Sequence, residues 1–136
     1  MNIYNFNDLT FKNSTIYQEF INENPATGYL KIRASAASSA IPIEGMKINV
    51  NTVFEDNKII FFEGVTDSSG MIEKLTLPSP TLNPNDLIAP KSTIYNIDTE
   101  YNGNKNSYTA RMYEGLCVMQ NINVIPNVSE RNLYGS

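Results

Sequence analysis

Asp98 and Glu100 stand two residues apart, and Glu44 with Glu63 make a second pair of carboxylates, the minimum equipment for acid–base chemistry. In the alternating run Thr93–Tyr101, however, Asp98 and Glu100 share the face opposite Ile97, Thr99 and Tyr101, which is the pattern of a strand's solvated side. Asp67-Ser68-Ser69 offers one carboxylate and two hydroxyls, whereas calcium asks for six or more oxygens, so the segment reads as a turn. The 136-residue chain has no histidine, which removes the commonest general base, transition-metal ligand and pH switch together. A nucleophile would then need a lysine or a carboxylate as its base, and no motif supplies that arrangement. Neither glycine-rich phosphate cradle is present. Lys31, Lys47, Asn121 and Asn123 run out of phase with the apolar residues of their strands, so an internal Lys–Asn crosslink, which needs its members buried together, is not expected. No cofactor is expected, and the chain reads as non-enzymatic.

The single cysteine, Cys117, excludes an intrachain disulfide. It reads as a small buried hydrophobe, with an interchain disulfide or a reactive thiol as the alternative. Tyr29, Tyr95, Tyr101, Tyr108 and Tyr113 fall in strands, their hydroxyls expected at the rim of a core, and a subset could form a binding patch that sequence does not single out.

A net charge of −4 argues against nucleic acid and against anionic lipid as partners, because no basic stripe exists to displace counterions. The N-terminal residues lack the basic start and apolar run of a signal peptide. No stretch approaches the roughly 20 apolar residues of a membrane span. The expectation is a chain made in the cytoplasm, which could act outside the cell if released by lysis, a route that a spore-surface or virion component of the kind weighed below would share.

The chemistry-bearing residues must be positioned by strands. From Gly28 onward apolar residues recur with period two: Leu30, Ile32 and Ala34, then Met46, Ile48 and Val50, then the Ile- and Phe-rich run Lys58–Thr66. Further strands are expected around Ile72–Leu77, ending at Pro78, and over Thr93–Tyr101, Ser107–Glu114 and Val118–Ile125. Glu55-Asp56-Asn57, Asp67–Gly70 and Asn102-Gly103-Asn104 are turn signals, with Gly70 expected at positive φ. Residues 78–92, holding four of the seven prolines, read as a long loop. The fold class is therefore all-β: a seven-stranded Greek-key sandwich over residues 28–126, its core including Leu30, Ile32, Ile48, Val50, Ile97, Ile122 and Val124. Residues 1–27 form a short helical or extended leader, and residues 127–136 a tail. In the leader, Asn13 or Ser14 caps a helix carrying Ile16, Tyr17, Phe20 and Ile21 on one face, ended by Asn24-Pro25.

The segments Ala40–Val50 (AIPIEGMKINV), Val65–Gly70 (VTDSSG) and Leu75–Pro78 (LTLP), with Tyr95–Tyr101 and Val118–Pro126 (VMQNINVIP), resemble the carboxypeptidase regulatory-like domain, a transthyretin-like sandwich. They are most similar to the variant attached to clostridial spore cortex-lytic enzymes. The resemblance covers residues 28–126 and implies a non-catalytic accessory module. Where that family has a Gly-Tyr pair before the penultimate strand, Asn102–Tyr108 reads as a longer turn.

Two functions compete. One is a structural subunit, a homo-oligomer or a component among other structural proteins, assembling through its terminal arms into a fibre, spore-surface layer or virion. Its contact residues would be Ile16, Tyr17, Phe20 and Ile21 in the leader and Leu133 and Tyr134 in the tail, because a helix of about ten residues is marginal unless it packs on something. The other is an accessory module binding glycan, peptidoglycan or a protein partner.

Overall fold

The structure, a computed structural model, describes residues 1–86 and 88–125. Among them run β1 (Ile3–Asn5), α1 (Leu9–Lys12), α2 (Thr15–Glu23), β2 (Ala26–Ala36), β3 (Ile41–Pro42), β4 (Lys47–Phe54), β5 (Asn57–Val65), β6 (Met71–Ser79), β7 (Thr93–Tyr101), β8 (Asn104–Met112) and β9 (Cys117–Val124). The fold is the expected all-β sandwich, with nine strands rather than seven; the short β1 and β3 are the additions.

One sheet has the order β1-β5-β4-β7-β8, antiparallel throughout except where β1 joins β5 in parallel. In the other, β9 lies parallel along β2 from Tyr29 to Ala36, so β6 and β3, both antiparallel to β2, share its opposite side end to end. The two inner faces meet in one apolar cluster built from the period-two residues: Leu30, Ile32 and Ala34 of β2, Ile48 and Val50 of β4, Tyr95 and Ile97 of β7, and Ile122 of β9. Val124 packs at the rim of this cluster, only partly buried. Burying each such aliphatic side chain stabilises the fold by about 1.5–3 kcal/mol.

The turns follow from residues that tolerate left-handed backbone. Glu55 and Asp56 have φ of 47° and 61°, and Asn102 and Gly103 have 50° and 79°, the two-residue geometry that matches strand twist in a hairpin. The Asn102-Gly103 turn is thus tight, not long, and β8 begins at Asn104 rather than Ser107. Gly70 takes φ +76° as expected, and Asp67 Oδ1 accepts from the Ser69 and Met71 amides at 2.9 and 3.0 Å. β6 continues through Pro78 to Ser79, because an edge strand can leave the missing N–H on its outer side.

The leader departs most from expectation. Ser14 caps α2 by accepting from the Tyr17 amide at 3.2 Å, and the predicted stripe forms. It does not wait for a neighbouring subunit. Phe20, Phe11 and Ile59 are buried together, with Tyr4, Phe6, Ile16, Tyr17, Ile21, Phe54 and Phe61 packed against them. The physical reason lies in β5. Its register with β4 slips between Val50 and Asn51, which makes Phe61 an extra residue and turns both Phe61 and Phe62 toward apolar clusters. Phe61 reaches the leader as well as the sandwich core, so the first 24 residues complete the monomer rather than form an arm. Asn24 fastens the junction: its Nδ2 donates to Phe20 O at 3.0 Å, and its Oδ1 accepts from the Thr93 hydroxyl of β7. Cys117 is exposed at the start of β9, not buried, because its side chain falls on the outer face of the three-strand-wide sheet. Leu133, Tyr134 and the rest of the expected tail lie outside the described residues.

Candidate functional site

The five strand tyrosines have different fates. Tyr95 is fully buried, its hydroxyl donating to Pro78 O at 2.6 Å and its pKa pushed far up by desolvation. Tyr29 lies half-buried on the outer face of its sheet beneath Lys74, whose Nζ is 4.2 Å from the ring centroid. Tyr113 sits half-buried just beyond β8. Tyr101 and Tyr108, four register positions apart, both line a cleft at one end of the sandwich, where the β7–β8 hairpin and the end of β9 leave the sheets apart.

The cleft there has a volume of about 490 Å³. Met46 and Ile122, both nearly inaccessible, form its floor with Val124; Tyr101 and Tyr108 are half-buried in its wall; Asn104, Lys105, Asn106 and Asn123 stand around it. An apolar floor, two amphipathic rings and convergent amides are what a small polar ligand with an apolar face requires. The tight turn positions the rings. Pairing Tyr101 with Asn104 and Ile97 with Tyr108 sends both tyrosine side chains inward. The sequence marks the Asn102-Gly103-Asn104 hairpin turn, but with β8 starting only at Ser107 it does not bring the two rings to one cleft.

A second depression, about 680 Å³, lies on the outer face of the five-stranded sheet and shares Thr99, Lys105 and Asn106 with the first. Its floor is a hydrogen-bonded lattice. Asn51, 2% exposed, donates to Asn49 Oδ1 at 2.7 Å and to Asp98 Oδ2 at 2.9 Å. Ser107 donates to Asp98 Oδ1 at 2.7 Å, and Asn49 donates to Glu63 Oε1 at 3.2 Å. Glu63, Asn49, Asp98 and Ser107 are register partners on four successive strands. Asp98 therefore does face the outer side with Glu100, but as the acceptor that holds two strands' polar side chains in place.

Of the expected contact residues, Ile16, Tyr17, Phe20 and Ile21 are brought together, but inside the chain's own second cluster. Beside it, Glu55 of the β4–β5 turn meets Glu19 and Glu23 of α2, and its carboxyl is held above the ordinary value, first by a hydrogen bond with Glu19 and then by the charge of Glu19. Among the described residues no group of acidic or thiol side chains is arranged to hold a metal ion. Among the described residues no helix is long and apolar enough to cross a membrane.

No family model matches the chain, and none of the curated proteins does. Among solved structures it is similar to 5-hydroxyisourate hydrolase from Klebsiella pneumoniae, with a TM-score of 0.41 and 13% identity over 71% of this chain and 87% of that one. It is similar also to catechol 1,2-dioxygenase from Pseudomonas arvilla, with a TM-score of 0.45 and 8% identity over 90% of this chain and 57% of the dioxygenase. A catechol 1,2-dioxygenase variant from Acinetobacter radioresistens gives 0.43 and 10%, again over 57% of its length. These proteins are enzymes, which overturns the expectation that a sandwich of this kind is non-catalytic. At these identities and scores the likeness is one of fold and carries no argument about a reaction here.

Proposed function

We propose that the chain is a binding module whose ligand is a glycan of the peptidoglycan type, held in the cleft between Tyr101 and Tyr108. The observation that carries this reading is the cleft itself: half-buried tyrosine rings over an apolar floor, with three asparagines and a lysine around it. Sugar rings present C–H faces that stack on aromatic side chains and hydroxyls that bond to amides, and Lys105 suits a carboxylate on the ligand. The resemblance to the carboxypeptidase regulatory-like domain of cortex-lytic enzymes supports an accessory role beside a cell-wall polymer. Assembly through terminal arms, into a spore-surface layer or virion, has less support, because Ile16, Tyr17, Phe20 and Ile21 are spent within the monomer.

The test is titration of the isotopically labelled chain with soluble peptidoglycan fragments. Resonances of Tyr101, Tyr108 and Asn123 are expected to shift together. Tyr108→Ala should weaken binding roughly tenfold, as truncation of an aromatic contact does. Fragments that leave the cleft resonances unmoved at saturating concentration would dismiss the proposal.

A further inference from the structure

The four-stranded sheet presents β9 as an edge eight residues long, and among the described residues no strand pairs with its outer side. An open edge is a row of unsatisfied N–H and C=O groups, which proteins normally shorten, charge, bulge or interrupt. Among the described residues the other edges carry such devices, and the length of β5 beyond β1 bears Glu63. β1 has three residues and β3 two. β6 bears the exposed Glu73 and Lys74 and contains Pro78. β8 bears the exposed Lys105 and Arg111. β9, with the sequence CVMQNINV, has no charge, proline or glycine, and its eight-residue ladder with β2 runs without a register shift. Along it and at its ends, Leu116, Met119 and Ile125 are 53%, 46% and 77% exposed.

We infer that β9 pairs antiparallel with β9 of a second copy of this chain across a two-fold axis, joining two sheets into one. The occupant is a second copy because the strand is electrostatically self-compatible. An antiparallel partner places each side chain opposite another from the same strand, and with no charge present no register opposes like charges. For the same reason β9 has nothing with which to select a charged foreign strand. The basic residues nearest this edge, Lys31 and Arg33, lie on β2, and Lys74 lies one strand further away on β6. In the pair Lys31 and Arg33 would be separated from their counterparts by three strand spacings, roughly 14 Å. That exceeds the Debye length of about 8 Å at physiological ionic strength, so their repulsion is largely screened. Ile122, Asn123 and Val124 of β9 also line the cleft, so edge and cleft adjoin, but the pairing engages the backbone of the strand and needs no ligand in the cleft.

The experiment is sedimentation equilibrium of the full chain under reducing conditions, which keeps the exposed Cys117 from crosslinking copies. Mass should rise from 15.2 kDa toward twice that value as concentration increases. Met119→Glu should weaken the dimer roughly tenfold or more by bringing carboxylates to the shared edge. In its own chain the new carboxylate stands beside Lys31, its register partner, so the monomer is preserved. Arg111→Glu, on the β8 edge, should leave the dimer unchanged. Amide hydrogen exchange on the unaltered chain gives a second reading: the outward amides of Val118–Val124 should slow as concentration rises. A chain that stays monomeric, a dimer indifferent to Met119→Glu, or β9 amides equally protected at every concentration would each overturn the inference.

Discussion

Phe61 meets Tyr95 edge to face, with ring centroids 5.2 Å apart and planes at 84°, and on its other side stacks on Phe6 at 4.6 Å. One side chain therefore joins the sandwich core to the leader, and Tyr95 carries the connection on to the other sheet through its bond to Pro78. Leader and sandwich should unfold together. Phe20→Ala is expected to cost about 3–5 kcal/mol, as a fully buried phenylalanine does in any core. Removal of residues 1–24 should leave a chain that exposes apolar surface and melts without cooperativity. Chemical denaturation of both variants checks this. A truncated chain as stable as the whole would show that the second cluster contributes nothing.

Gly70 and Gly115 separate strain from crowding. Both hold left-handed backbone, at φ +76° and +74°. A Cβ at Gly115 meets nothing within 4 Å, whereas one at Gly70 would lie 2.3 Å from Ala34 O, the backbone of a central strand. Gly115→Ala should therefore cost about 1–2 kcal/mol, the left-handed penalty alone. Gly70→Ala should cost distinctly more, because β2 cannot retreat without losing its ladder. Thermal melts of the two variants side by side decide it, and equal losses would refute the crowding argument.

Much of the sandwich was legible because period-two alternation is a local signal. Leu30, Ile32, Ile48 and Val50 are all buried where the alternation placed them, and Thr93–Tyr101 runs between the expected bounds. What was not legible depends on contacts distant in sequence. The stripe of Ile16, Tyr17, Phe20 and Ile21 was visible, but its partners were not, since they come from Phe11, Phe54 and Ile59 and from Phe61, which a bulge turns toward it. The cleft was hidden for a related reason: whether Tyr108 faces in or out depends on a register that a two-residue turn fixes and a longer one would reverse.

Glu55 gives a pH dependence of definite sign. Its carboxyl is held above the ordinary 4.5 in the folded chain by Glu19, first as hydrogen-bond partner and then as a like charge, with slight desolvation and the charge of Glu23 adding less. A folded-state pKa above the unfolded one means that the native state binds more protons between the two values, so stability falls as pH rises through that window. Acidification toward pH 4.5 should therefore relieve the α2 contact, and Glu19→Gln should flatten this part of the stability profile. The group is fully exposed, so the effect should shrink with added salt. Urea midpoints measured across the window, for both chains and at two ionic strengths, test it; a midpoint in the original chain that rises with pH there would reverse the sign.

Asn51 is the last test, because it asks whether the polar lattice on the outer face supports the sheet or merely decorates it. Its amide nitrogen donates to Asn49 and Asp98, and its oxygen accepts from Asn96 at 3.4 Å, so a side chain only 2% exposed has both ends of its amide bonded. Asn51→Leu keeps the bulk and removes all three bonds. Asn49 Oδ1 and Asp98 Oδ2 then lose a donor at a half-buried site, at an expected cost of about 1 kcal/mol. Asn51→Asp should be worse, because it sets a second carboxylate against Asp98 with no donor between them, and its deficit should diminish as pH falls and one of the two takes up a proton. Ser107→Ala removes one exposed donor from the far oxygen of Asp98 and should cost less than either. The ordering Asp, Leu, Ala by decreasing loss in urea denaturation is the expected outcome. Equal stability for Asn51→Leu and the original chain would mean that the lattice forms without holding the strands together.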